Sequence, residues 1–256
     1  MNKLDFIVDS KEAFNEDRTV LHRVDSDAIS YCYHVNNAIE KAIKGESNLT
    51  EEMLMPGHGS RPKLQGMSGF RFRHLMNNIG TLKGANYLEV GVWKGSTLIS
   101  TACGNEASLG AIHAIDNFSE FDEKGIVEKS FKENLKTFLD NPDDNINFHK
   151  IDSFKIDTTK LPKFDIFFYD GQHSEESQYL AFEYYKNNFA DTCIVIVDDW
   201  EQKTVRAGTR RGLESIDHKV VSSWTIIPGR RPDNVNRVNN PVADWWSGVF
   251  IAVIAK

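Results

Sequence analysis

The chain is short of the features that mark secreted, membrane-embedded or zinc-knuckle proteins. Its 256 residues hold three cysteines, Cys32, Cys103 and Cys193. They are scattered, with no CxxC pair and no Cys/His cluster, so neither a disulfide framework nor a structural zinc site can be read from them. Reduced, mostly buried thiols of a cytoplasmic protein are expected. Long apolar runs are missing too: the longest, Cys193–Val197 and Gly248–Ala255, are far too short to span a bilayer. The first ten residues, MNKLDFIVDS, have no apolar core of signal-peptide length. Positive charge is in deficit, 30 Lys and Arg against 37 Asp and Glu for a net charge of -7, which argues against a protein that tracks a nucleic-acid backbone. There is no internal repeat and no low-complexity tract. What remains is an ordinary globular composition, 40% hydrophobic and 26% charged, with length enough for a sizeable core.

The pattern changes near residue 65. Before it, Ser26 is placed to cap a helix running to about Lys44, with Ile29, Cys32, Val35, Ile39 and Ile43 at helical spacing and Gly45 as the stop. Met55–Pro62 is turn-forming. Residues 1–64 therefore read as a helical extension or lid. A second helix is expected over Ser68–Ile79. From Asn86 apolar strand candidates alternate with helical stretches: Tyr87–Val90, Ala111–Ile115, Ile146–His149, Phe164–Tyr169 and Cys193–Val197 as strands, Thr97–Ala102, Lys124–Leu139 and Ser174–Asn187 as helices. Strands that are apolar throughout and separated by helices mean an α/β domain over 65–256, with a Rossmann-like parallel sheet covered on both faces. After a helix near Thr204–Ile216, Val220–Ile227 and Gly248–Ala255 read as an antiparallel pair closing one edge.

In such sheets ligands sit beyond the carboxyl ends of the strands, and there the sequence is unusual. Each strand of the parallel set ends in or next to a carboxylate: Glu89, Asp116, Asp152, Asp170 and the pair Asp198-Asp199. The first strand runs into Glu89-Val-Gly91-Val-Trp-Lys-Gly95-Ser96, a turn bracketed by two glycines that opens a helix. Glycine serves where the backbone takes positive φ or meets a ligand closely, and a helix N-terminus offers free N–H groups to an anion. A carboxylate on those N–H groups and an ammonium near Glu89 would suit the amino-acid end of S-adenosylmethionine. Asp116 stands where a carboxylate binds ribose hydroxyls, a feature shared by nicotinamide and adenosylmethionine sites. The glycine turn separates the two, because Gly-x-Gly-x-x-Gly is absent here. Asp152 and Ser153 are candidates for the adenine region, with a plain Asp-Ser turn as the competing reading.

Asp170, Asp198 and Asp199 are three hard oxygen ligands from adjacent strand ends, suited to Mg²⁺ or another divalent cation. Without a cation they would repel one another and raise their pKa values. His173, three residues past Asp170, is a candidate general base; a structural histidine bonded to the loop backbone is the competing reading. The six arginines Arg206, Arg210, Arg211, Arg230, Arg231 and Arg237 read as solvated charge, and Trp245 and Trp246 as packing residues.

These motifs resemble the class I S-adenosylmethionine-dependent methyltransferases, and more narrowly the macrocin-type sugar O-methyltransferases and methyltransferase family 24. The carrying residues are Glu89–Ser96, Asp116-Asn-Phe118, Tyr169-Asp-Gly-Gln-His173 and Val197-Asp-Asp-Trp200, with Gln65–Phe70 similar to the helix that precedes the sheet. The resemblance spans residues 65–256. It implies seven strands in the order 3-2-1-4-5-7-6 with the last antiparallel. It places Glu89, Gly91, Gly95 and Ser96 on the methionine moiety, Asp116 on the ribose, Asp152 near the adenine, and Asp170, Asp198 and Asp199 on the metal. His173 falls near the position of the basic lysine of catechol O-methyltransferases. Asn117 departs from the serine usual after the ribose-binding acid.

The expected activity is metal-assisted O-methylation of a small polar acceptor, a sugar or another vicinal diol, with His173 or Asp170 taking the proton. No nucleic-acid or membrane partner is expected, and a homo-oligomer is compatible with the sequence. A fold-retaining binding or assembly protein without turnover is the first alternative, and a nicotinamide oxidoreductase the second.

Overall fold

Short runs of β-branched and aromatic residues supply the strands of one sheet. They are β1 (Phe6–Asp9), β2 (Tyr87–Val90), β3 (Ile112–Ile115), β4 (Ile146–His149), β5 (Phe164–Tyr169), β6 (Phe189–Val197), β7 (Lys219–Pro228) and β8 (Val249–Ala255). The structure is a computed structural model that describes residues 6–9, 26–54, 64–122, 125–228 and 245–256. The strand order is β1-β7-β8-β6-β5-β2-β3-β4. Counted from β2, that is 3-2-1-4-5-7-6, as the resemblance implied. Strands β2 to β6 run parallel, while β8 is antiparallel to both β6 and β7. Every residue of β2 and β3 is buried, which is why their sequences lack polar alternation.

Helices pack on both faces. On one lie α1 (Ser26–Lys44), α3 (Phe70–Ile79), α4 (Ser96–Ala102) and α5 (Val127–Phe138), burying Val35, Phe72, Leu98 and Phe131 against Tyr87, Ile166 and Ile194. On the other lie α7 (Glu175–Tyr185) and α8 (Lys203–Ser215), burying Phe182 and Leu213 against Phe167 and Val195. Two single-turn helices, α2 (Glu51–Leu54) and α6 (Pro142–Asn145), complete the set. Alternate side chains of the strands enter opposite cores, the period-two rule of a sheet covered on both sides.

Two expectations need correction. The extension before residue 65 is not wholly helical: β1 pairs antiparallel with β7, Phe6 opposite Pro228 and Asp9 opposite Thr225. The pairing covers what would otherwise be an open edge. In α1, Ile29 is 46% exposed, and the inward face is carried largely by Ala28, Ala38 and Ala42 with Val35 and Ile39. Small residues let α1 lie close to α3, so the larger apolar residue did not mark the buried stripe. Gly45 ends α1 at φ 73°, as expected. The Met55–Pro62 turn and the Arg230–Asp244 insert lie outside the described residues. Among the described residues, no helix is long and apolar enough to cross a membrane.

Candidate active site

The strand order reverses at β2, whose neighbours β3 and β5 are reached in opposite directions, and the carboxyl ends there open into a cleft of about 630 Å³. Gly91, at φ 88°, forms part of its floor; a Cβ there would lie 2.0 Å from the Asp170 carbonyl oxygen. Only glycine lets the turn after β2 pass so close to the end of β5. Asp116, at the end of β3, holds that turn. Its Oδ2 accepts the N–H groups of Val92 (2.9 Å) and Trp93 (2.8 Å), and its Oδ1 accepts that of Phe118 (2.6 Å). A carboxylate oxygen has two lone pairs, so one on Oδ1 remains for a ligand hydroxyl.

Glu89, Gly95 and Ser96 lie behind the residues that line the cleft. Glu89 is fully buried and accepts the hydroxyls of Tyr87 and Thr97, both at 2.5 Å. Burial pushes its pKa up to about 8, against the pull of those two hydrogen bonds. Ser96 is covered by the chain before α3: its Oγ is 2.8 Å from Ser68 Oγ, and a Cβ on Gly66 would come within 2.0 Å of it. Arg73, itself buried, donates to Ser68 Oγ and to the carbonyls of Met53 and Leu64.

The acidic wall is formed by the ends of β5 and β6. Asp170, His173 and Asp199 converge, each offering a ligand atom within 4.8 Å of the others. Asp198, the third ligand expected from sequence, lies outside that group. It lines the cleft, is 4% exposed, and its Oδ1 has no hydrogen-bond partner among the described residues. The reason is local: Asp199 takes a left-handed φ of 55°, so the two consecutive carboxylates leave the strand in different directions. Burial, then the neighbouring Asp198 and Asp199, raise the Asp170 carboxyl well above its ordinary range. Burial and Asp199 do the same to Asp198. Asp199 moves the other way: burial works to raise it, but the hydrogen bond and charge of His173, with hydrogen bonds from Ser247 and Gln202, hold it low. His173 is raised, chiefly by its Nε2 contact with Asp199 Oδ2 at 2.9 Å.

Asp152 and Ser153 line the opposite end of the cleft, beside Ile151 and Phe154. Asp152 Oδ1 accepts the Phe154 N–H at 3.0 Å, and that bond leads the lowering of its pKa. The cleft thus gathers Gly91, Asp116, Asp152, Ser153, Asp170, His173, Asp198 and Asp199. Sequence reasoning missed Met67, Glu120, Phe121, Leu180, Gln202 and Ser247, which also line it. Gln202 carried one legible signal, its position three residues past Asp199 and just ahead of a helix. Trp245 packs, being 2% exposed, but Trp246, read as a packing residue, lines the cleft at φ 54°. Arg206 is structural, donating to the carbonyls of Trp200 and Glu201. Arg211 pairs with Glu175 and Glu176 at the surface. Arg230, Arg231 and Arg237 lie outside the described residues.

A 3-2-1-4-5-7-6 sheet with one reversed strand and a cleft at its switch point defines the class I methyltransferase fold. The model of methyltransferase family 24, a methyltransferase domain, matches residues 88–200. Among solved structures, a protein of Klebsiella pneumoniae described as a candidate O-methyltransferase aligns with a TM-score of 0.50 at 13% identity, covering 92% of this chain and 93% of that one. The cofactor-bound Rv0187 from MTB aligns with a TM-score of 0.50 at 15% identity, covering 92% of each chain. The O-methyltransferase TomG of Streptomyces achromogenes, involved in tomaymycin synthesis and solved with S-adenosylmethionine, aligns with a TM-score of 0.49 at 15% identity over 93% of each chain. At these identities the likeness is one of fold. No curated protein matches the chain by sequence.

Proposed function

We propose that the protein is an S-adenosylmethionine-dependent O-methyltransferase, assisted by a divalent cation, that acts on a hydroxyl of a small sugar or other vicinal diol. The observation that carries this reading is the acidic wall. Asp198 keeps a buried Oδ1 that has no hydrogen-bond partner among the described residues, beside Asp170 and Asp199. Such an arrangement is costly unless a cation answers it. Asp170 and Asp199 offer hard oxygen donors of the kind Mg²⁺ takes, with His173 in the same group, and Asp198 lines the cleft beside them. When bound, the cation would supply positive charge beside an acceptor hydroxyl and lower its pKa.

The protein's own groups then have definite tasks. Asp116 would accept a ribose hydroxyl with its remaining lone pair, while its other bonds keep the glycine turn in place. Asp152, Ser153 and Phe154 would border the adenine. His173 would take the proton released by the acceptor. Gln172, Ser177, Gln202 and Ser247 offer uncharged polar groups on the same side of the cleft, a lining suited to a hydroxyl-rich molecule. Methyl transfer needs little covalent help, so alignment in this cleft carries most of the rate.

The test is transfer of labelled methyl from S-adenosylmethionine to a panel of glycosides, nucleotide sugars and catechols, with Mg²⁺ and with chelator. Transfer to a diol that chelation abolishes is the expected result. Cofactor binding without transfer to any acceptor would return the protein to a binding role, and transfer that survives chelator would remove the cation from the mechanism.

A further inference from the structure

Six residues other than glycine take a left-handed φ among the described residues: Trp93, Phe118, Phe121, Asn141, Asp199 and Trp246. Four of them, Trp93, Phe121, Asp199 and Trp246, line the cleft. Asparagine and aspartate tolerate that backbone, but for a bulky aromatic residue it is a steric outlier. Phe118 gains packing from it, its ring 8% exposed and set against Phe131 and Phe148. The Phe121 ring, at φ 54°, stays 67% exposed. Trp246, also at φ 54°, is only half-buried. Strain and exposed apolar surface in one residue both work against the empty protein. Strained backbone and exposed apolar surface of this kind collect where a ligand is held.

Both aromatics are fixed beside the acidic wall. The Phe121 carbonyl accepts the Trp93 indole N–H at 3.4 Å, which ties the loop after β3 to the glycine turn after β2. Glu120, next to Phe121, also lines the cleft, and its charge adds to the pull of Asp199 on His173. Trp246 sits in a turn closed by the Gly248 N–H on the Trp245 carbonyl at 3.0 Å. That turn is latched to the segment after β6: Trp200 N–H donates to the Gly248 carbonyl at 3.2 Å, and Glu201 N–H to the Ser247 carbonyl at 3.0 Å. Ser247 also hydrogen-bonds Asp199. We propose that Phe121 and Trp246 select the acceptor by its shape: the reacting hydroxyl is carried on a ring whose flat apolar face rests on these aromatics, and open-chain polyols are excluded. The proposal deepens the methyl-transfer reading above and rests on it for the reaction, not for the binding. An aromatic face stacks on another aromatic ring or against the C–H face of a saturated one. An open-chain polyol presents no fixed apolar face and loses more rotamer freedom on binding. The hydroxyls of the bound ring are left to Gln172, Ser177 and Gln202, which line the same cleft.

The experiment is an NMR binding titration of the full chain, with Mg²⁺ and S-adenosylhomocysteine present, against catechol, methyl β-glucopyranoside and open-chain glucitol. At least one ring probe should bind at least about tenfold more tightly than glucitol. Trp246→Ala and Phe121→Ala should each weaken that probe about five- to tenfold, while Trp246→Phe, which keeps a ring face, should stay within about twofold of wild type. The affinity for S-adenosylmethionine should stay within about twofold in all three variants. Tighter binding of catechol names an aromatic ring and tighter binding of the glucoside a saturated one; either supports the proposal. Glucitol bound as tightly as the rings, no ring bound at all, or ring affinity unmoved by the alanine substitutions overturns it. So does a loss of cofactor affinity in place of acceptor affinity. Phe121→Ala, at an exposed position, keeps the test decisive should Trp246→Ala fail to fold. Rings that bind but are never methylated would defeat the methyl-transfer reading and leave the aromatic rim standing; methyl transfer to glucitol as fast as to the rings would do the reverse.

Discussion

Acid should loosen the β3–β4 edge before it unfolds the rest of the domain, and His113 gives the size of the effect. Its Nδ1 lies 3.0 Å from Nε2 of His149, with the ring planes 10° apart. The His113 ring is 9% exposed and meets the edge of Phe164. Burial, then the neighbouring His149, pushes its pKa down to about 4, against about 6.5 for an unfolded histidine. The unfolded chain therefore binds the proton first as pH falls. The contribution of the neutral ring is present in full above about pH 6.5 and is lost on the way down to about pH 4. Between about pH 7.5 and about pH 5 the linkage integral is about 2 kcal/mol, and partial solvation of the pair reduces it to roughly 1–2 kcal/mol. Urea unfolding at those two pH values should show wild type losing that much more stability than His113→Gln, whose side chain does not titrate. Equal losses in the two proteins would refute the reasoning. The site should feel the change, because the His149 carbonyl accepts the N–H of Asp116 at 3.2 Å.

Two further substitutions separate structure from function. Asp198→Asn should stabilise the metal-free protein, because it removes a buried carboxyl whose Oδ1 has no hydrogen-bond partner among the described residues. It should also abolish the stabilisation of about 2.7 kcal/mol that Mg²⁺ at a hundred times its Kd gives wild type; thermal melts with and without Mg²⁺ read both, and a preserved Mg²⁺ shift would count against the cation site. Gly91→Ala should cost at least ~2 kcal/mol, from left-handed backbone strain and the collision with the Asp170 carbonyl, and should weaken S-adenosylmethionine binding measured by calorimetry.

The strands were legible because each signal is local or nearly so, and their order followed from the resemblance. An apolar run with a carboxylate at its end states both that Phe164–Tyr169 is a buried strand and that Asp170 faces the cleft. Asp116 and Asp152 were legible for the same reason. The surroundings of Glu89 were not, because they are set by Tyr87 and Thr97, two hydroxyls whose approach depends on how α4 packs on the sheet. The directions of Asp198 and Asp199 turn on one positive φ that no residue type announces, since aspartate rarely needs it. The pairing of β1 with β7 joins segments at opposite ends of the chain, beyond the reach of any periodicity.

That last pairing sets the order of synthesis against the order of the sheet. Phe6–Asp9 leaves the ribosome well ahead of its partner strand, Lys219–Pro228, which emerges after the whole parallel sheet has been made. The earlier strand must wait through synthesis of the parallel sheet before its backbone N–H and C=O groups find their ladder, and until then water or a chaperone must serve them. Closing so long a loop costs only slowly more as the chain lengthens, so the delay burdens folding kinetics far more than the stability of the finished edge.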